Sequence, residues 1–181
     1  MNRTFACLAV TSTALFALAL ATTAQEPDPL PAPTKVVVGT FDSRALAVAW
    51  VRSKGFEREL APQREEYERA KKAGDDDRVA AIDARMQALQ DELHKQGFGT
   101  WPVDNILARI EGDLPRIAKE AGVNVIVCRW NVVYRDPALT FVDVSVPMIA
   151  PFEPSEETLA LVAEVLVKDP VPLAELEHSD D

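Results

Sequence analysis

The chain has 181 residues, of which 19 are Lys or Arg and 29 are Asp or Glu, so its formal net charge is −10 at pH 7. This acidic balance argues against nucleic acid and anionic membranes as main partners, because both require a basic face. His94 and His178 are the only histidines, and their positions do not suggest a nucleophile and base pair. We therefore predict that the chain is not an enzyme and has no cofactor or metal site.

The first 24 residues have the pattern of a secretory signal peptide. Arg3 precedes an apolar run over residues 14–21, and the small residues Thr22, Thr23 and Ala24 follow. We predict cleavage after Ala24. A permanent anchor is the alternative, but the run is shorter than the roughly 20 apolar residues that span a bilayer. The sequence therefore predicts a periplasmic protein without a stable membrane anchor.

A proline-rich leader precedes the first predicted strand. Residues 25–34 contain four prolines, which favour an extended, unpacked segment. Residues 35–41 are mostly apolar and β-branched without alternation, which is typical of a strand that is covered on both faces. Either Asp42 or Ser43 is expected to cap the helix that begins at this point.

A helical hairpin, which we call the arm, is predicted over about residues 56–96. Both helices carry apolar residues at alternating spacings of three and four, so they are expected to pack antiparallel along a seam. This arm seam consists of Phe56, Leu60, Tyr67, Val79, Ile82, Met86, Leu89 and Leu93. Gly74 ends the outgoing helix, and the aspartates at 75–77 begin the returning one. A metal loop is the alternative for these aspartates, but no further oxygen ligands follow at calcium-loop spacing.

The second half of the chain shows one helical pattern and two strand patterns. A helix over residues 103–121 is expected to bend near Pro115. Residues 123–130 are strongly β-branched and apolar, which predicts a strand. Residues 136–137 mark a reversal before a further strand over residues 141–146.

The last part of the chain completes the predicted fold. Three prolines between residues 147 and 154 are expected to break the chain before an amphipathic helix from Ser155 to Val167. Residues 168–181 are predicted to be a loose, acidic tail. The sequence thus predicts an α+β fold of order β-α-α-α-β-β-α over residues 35–167, with a small β-sheet body and a projecting antiparallel helical hairpin.

Three segments of the sequence carry a family resemblance. They are VVVGTFD at 36–42, IAKEAGVNVIV at 117–127, and NVVYRDP at 131–137 followed by VDVS at 142–145. They resemble the first strand, the return helix with the second strand, and the turn with the closing motif of the Skp-type periplasmic chaperones, the OmpH family. The resemblance implies a homotrimer whose arms enclose unfolded outer-membrane proteins. Compared with that family, this chain has short arms and is acidic.

These observations predict an ATP-independent periplasmic holdase or escort. It is expected to bind unfolded or partly folded envelope proteins between its helical arms. The alternative is a structural or adaptor module that docks a fixed partner in the cell envelope through its arm. Cys128 is the cysteine that remains after signal-peptide removal, and we interpret it as a buried strand residue, with an intermolecular disulfide as the alternative.

Overall fold

The structure, a computed structural model, describes residues 35–176, so the predicted signal peptide and leader lie outside the described residues. The elements are β1 (Val37–Phe41), α1 (Ser43–Val51), α2 (Lys54–Ala73), α3 (Asp76–Phe98), α4 (Asp104–Leu107), α5 (Leu114–Ala121), β2 (Val125–Cys128), β3 (Thr140–Asp143), α6 (Ser145–Ile149), α7 (Glu156–Leu166) and α8 (Leu173–Leu176). Short 3-10 turns lie at Glu111–Asp113, Arg129–Asn131 and Ala150–Phe152. The predicted α+β class is confirmed. Within the described part of the chain no helix is long and apolar enough to cross a bilayer.

The three strands form a parallel sheet in which β1 lies between β2 and β3. Val38 pairs with Val125 on one side and with Phe141 on the other. The reversal predicted at residues 136–137 therefore does not join neighbouring strands. Both β2 and β3 are parallel to β1 and lie on opposite sides of it. The chain must therefore return from the end of β2 to the start of β3 by a crossover connection that passes β1. All three strands end at the same edge of the sheet.

Several predicted boundaries are wrong, and each has a local cause. The strand predicted over 141–146 ends at Asp143, whose side chain accepts a hydrogen bond from the Ser145 backbone N–H and turns the chain into α6. The helix predicted over 103–121 is divided by the 3-10 turn before α5. Pro115 lies in the first turn of α5, where its missing N–H costs no helical hydrogen bond.

The proline-containing segment before α7 contributes to the core instead of only breaking the chain. Met148 and Ile149 of α6 are fully buried, and Phe152 is almost so. They pack with α1, whose buried residues include Leu46 and Trp50. Because α1 contacts α3, α6 and α7, it is the central helix of the body.

The predicted hairpin forms from α2 and α3. Gly74 ends α2 in the left-handed conformation, with a φ of 70°, which glycine adopts without steric cost. The Asp75 carboxylate then accepts a hydrogen bond from the Arg78 backbone N–H and caps α3. Glu66 of α2 bonds to Arg78 and Arg85 of α3 across the hairpin. Helix α2 continues through Pro62.

The segment assigned to a loose tail contacts the body as far as residue 176. The Val171 N–H donates to the carbonyl oxygen of Phe98 at 2.9 Å, and α8 packs on the end of α3. Gly99 lies under α8, where a Cβ atom would approach the Leu173 Cδ2 atom to 2.7 Å and the Lys95 carbonyl oxygen to 2.9 Å. The close approach of α8 therefore depends on glycine at position 99.

We expect Gly99→Ala to lower the free energy of unfolding by about 1–3 kcal/mol, because the new methyl group overpacks this contact. Gly97→Ala is the matched control, since it lies in α3 with open space around it. Alanine there should leave stability unchanged or raise it by up to about 1 kcal/mol. Urea denaturation of both variants provides the measurement, and equal stabilities would contradict the close-contact argument.

Candidate functional site

An apolar groove runs between α3 and α7, with α1 and the start of α2 at its base. Its volume is about 890 Å³. We call it the α3–α7 groove and define it by the side chains of Val48, Val51, Met86, Leu89, Leu93 and Val165. Each of these side chains is partly exposed. The groove therefore presents apolar surface that no other described part of the chain covers.

The predicted arm-seam residues are distributed between the hairpin interior and this groove. Phe56, Leu60 and Ile82 are buried, whereas Tyr67 and Val79 are half-buried towards the tip of the arm. Met86, Leu89 and Leu93 form the α3 wall of the groove. They do so because the second half of α3 packs against α1 as well as α2. The returning helix thus divides its apolar row between two neighbours.

Four charged side chains line the groove, and three of them lie in ion pairs. Arg52 is paired with Glu157 at 2.7 Å, and Lys168 is paired with Glu164 at 3.3 Å. Asp83 is the remaining charged residue of the lining. A mainly apolar lining with paired charges at its rim favours apolar contact over recognition of a charged ligand.

Two ionisable groups among residues 35–176 have shifted pKa values, and neither of them lines the groove. The hydrogen bond from Arg78 lowers the pKa of Glu66 on the arm. The hydrogen bonds to Asp113 and Glu120 raise the pKa of Arg116 on α5. Both shifts belong to exposed ion pairs, so they do not indicate acid–base chemistry at the groove.

A buried ionic network at the carboxyl edge of the sheet holds α7 in place. Asp42 is fully buried and pairs with Arg44 at 2.8 Å, and its other oxygen accepts from the Trp130 Nε1–H at 3.2 Å. Arg129 lies 3.7 Å from the same carboxylate. The Arg44 guanidinium also donates to the carbonyl oxygens of Val165 and Lys168, at 3.0 and 2.8 Å. This network fixes the end of α7, which is one wall of the groove.

The sequence predicts Asp42 only as a possible helix cap and gives no role to Arg44. The cap is confirmed, because the Asp42 side chain accepts a hydrogen bond from the Arg44 backbone N–H. An aspartate followed two residues later by an arginine at the start of an apolar helix is the signal that was available. The carbonyl oxygens that accept hydrogen bonds from the Arg44 side chain, at residues 165 and 168, lie more than 120 positions away in the sequence.

The remaining candidate groups in the described residues are a cysteine and the side chains that could bind a metal ion. Cys128 is a free, half-buried thiol at the end of β2. Within residues 35–176 no three His, Cys, Asp or Glu side chains are placed to hold a metal ion. No protein-family model, curated protein or solved structure matches the chain. The α3–α7 groove is therefore the feature on which a functional proposal can be built.

Proposed function

We propose that this protein is an ATP-independent periplasmic holdase or escort, related in design to the Skp-type chaperones, that binds unfolded or partly folded envelope proteins. The observation that carries the proposal is the apolar groove at the base of a helical arm. The sequence resemblance at residues 36–42, 117–127, 131–137 and 142–145 supports the same function. Clients bind through apolar side chains that enter the groove and contact the arm.

The size of the groove is suited to weak and reversible binding. Full burial of one Leu, Val or Met side chain contributes about 1.5–3 kcal/mol. Since Met86, Leu89 and Leu93 are already half-buried, each gains only a part of that value when a client covers it. The cost of ordering a client segment offsets much of this gain. A holdase needs such exchangeable binding, because its clients must leave without ATP.

The sheet supports assembly into a homotrimer, which is part of the proposal. Within the described residues β2 and β3 each pair only with β1, so each has an open edge. Val133 and Tyr134 in the connection between these strands are strongly exposed. In a trimer, open strand edges of neighbouring subunits can pair with each other, and the exposed apolar side chains can be buried between subunits. Light scattering that gave a monomer mass at micromolar concentration would contradict the trimer.

An adaptor that docks one fixed envelope partner is the second candidate, and the surface of the arm favours it. Many of its exposed side chains are charged, and some form ion pairs, such as Glu65 with Arg69 and Glu66 with Arg85. Such a surface adds little to general binding of unfolded chains. An adaptor predicts one stoichiometric partner in crosslinking experiments and no protection of unrelated clients.

Aggregation of an outer-membrane barrel diluted from urea tests the holdase proposal. The processed protein, purified from cells that express the full chain, should slow aggregation when it is in several-fold excess. Leu89→Asp should abolish most of this protection, because it places a charge in the apolar wall of the groove. Ala84→Asp is the matched control on the exposed side of α3, and it should protect like the wild type. Failure of the wild type to slow aggregation would overturn the proposal.

A further inference from the structure

The chain that follows α7 closes one end of the α3–α7 groove. Lys168 lines the groove just after the end of α7, and Phe98 lines it at the end of α3. The Val171 N–H donates to the carbonyl oxygen of Phe98 at 2.9 Å. Because three residues of chain span at most about 11 Å, the segment after Lys168 must cross the gap between the two walls at this end. We call residues 169–173 the strap.

Both walls of the groove are fixed to the body by bonds outside the strap. On the α7 side, the carbonyl oxygen of Lys168 accepts from the Arg44 guanidinium at 2.8 Å. On the α3 side, Gln96 is 0% exposed. Its amide donates to the carbonyl oxygen of Pro102 at 2.7 Å and to the Asn105 Oδ1 atom at 2.9 Å. The strap can therefore leave its place while both walls stay where they are.

The attachment of the strap to α3 depends on few groups. Pro170 and Pro172 have no N–H, so Val171 is the one backbone donor among these three residues. Leu173 packs over Gly99 and is half-buried. Segments with few backbone bonds and little buried apolar surface open locally at low free energy. The strap is thus a part of the described fold that can open by itself.

The same prolines hold the strap straight while it is closed. Proline fixes its own φ near about −65°, and it favours an extended backbone in the residue before it. Asp169 and Val171 are the residues that precede the two prolines. A released strap therefore gains less conformational freedom than an ordinary segment does. This is the physical reason why so few contacts suffice to keep the strap across the gap.

We propose that the strap is a gate at one end of the α3–α7 groove. When it is closed, the groove ends at Phe98; when it is released, the groove opens towards Gly99. This inference rests on the proposed function for what enters the groove, but the gate itself is tested without any client.

Two substitutions on opposite sides of one contact should release the strap. Leu173→Ser removes the half-buried side chain and should raise the open fraction about 5–10-fold, measured as faster hydrogen exchange of the Val171 amide. Gly99→Ala should act in the same direction, because its Cβ would approach the Leu173 Cδ2 atom to 2.7 Å. Val167→Ser is the matched control, since Val167 precedes the strap and is 83% exposed. Its exchange should equal that of the wild type.

Thiol labelling shows whether release of the strap opens the groove. Gly97→Cys places a thiol in the groove beside the strap, where open space surrounds the backbone, and Cys128→Ala removes the native thiol. Adding Leu173→Ser should make fluorescein maleimide react about 5–10-fold faster, because this bulky reagent needs the open gate. The small reagent N-ethylmaleimide should change little. Gln87→Cys is the control thiol, because it lines the same groove about 15 Å further along α3, and its rates should stay unchanged.

Each other outcome counts against the gate. Faster exchange at Val171 without faster labelling at position 97 would show that the strap frays without opening the groove. Equal acceleration at positions 87 and 97 would show that the whole groove loosens. Unchanged exchange in both Leu173→Ser and Gly99→Ala would show that this contact does not hold the strap. Failure of the wild type to slow aggregation of a barrel would overturn the proposed function and leave these rates as they are, so the two failures are distinguishable.

Discussion

Asp42→Ala is expected to lower the free energy of unfolding by about 3–5 kcal/mol, because it leaves a buried cation without its partner. Asp42 is 0% exposed and Arg44 is 3% exposed. The carboxylate accepts hydrogen bonds from the Arg44 backbone and guanidinium and from Trp130. Without it, the guanidinium retains the two carbonyl acceptors on the α7 side but has no negative charge to balance it. Urea denaturation monitored by circular dichroism measures the loss.

Two further variants test whether burial and pairing cause the effect. Glu157→Ala removes a carboxylate that, like Asp42, is paired with an arginine: the Arg52 guanidinium lies 2.7 Å away. Unlike Asp42, the Glu157 side chain is 77% exposed. It should cost less than about 1 kcal/mol, as exposed pairs do. The double variant Asp42→Ala with Arg44→Met should recover part of the loss, because both charges are removed together. If Asp42→Ala costs no more than Glu157→Ala, the network does not stabilise the fold.

Trp50→Ala is expected to cost about 3–5 kcal/mol, which is typical of removing a large buried ring. The ring lies 5.6 Å from both Phe56 and Phe152, measured between centroids, and the Arg109 guanidinium lies 4.0 Å above it. Trp50 therefore joins α1 to the base of the arm and to the segment after α6. Besides the loss of stability, hydrogen exchange should show faster exchange in the first turns of α2, because Phe56 loses its packing partner.

A second tryptophan provides the control for Trp50. Trp101 is 38% exposed, and the Lys95 Nζ atom lies 5.5 Å from the centroid of its ring. Trp101→Ala should cost less than about half as much as Trp50→Ala, because its ring is less buried. Equal losses in the two variants would show that the aromatic cluster around Trp50 has no special role.

The local features of this fold were accessible from the sequence. The spacing of Leu60, Ile82 and their neighbours predicted two helices, and Gly74 with Asp75 predicted the turn between them. The apolar, β-branched residues before Asp42 predicted β1, and Ser155 predicted the start of α7. Each of these signals depends on residues within one or two helical turns, which is the range over which propensity and capping act.

The features that depend on distant residues were not accessible. A spacing of three and four places Met86, Leu89 and Leu93 on one face of α3, but the same spacing fits packing against α2, against α1 or beside an open groove. The parallel order of the sheet and the bonds from Arg44 to residues 165 and 168 join parts of the chain that are far apart. The prolines at 147–154 predicted a break in the chain, but this segment packs into the core because α1 provides an apolar surface for Met148 and Ile149.

The central position of β1 in the sheet has a consequence for the order in which parts of the fold can form. β1 is synthesised before both of its neighbours, and its last partner, Asp143, follows Thr40 by 103 positions. Helices form within microseconds, so the α2–α3 hairpin can form while β1 still has two unpaired edges. The contacts within the arm are close in sequence and those of the sheet are not, so we expect the arm to form before the sheet at its base.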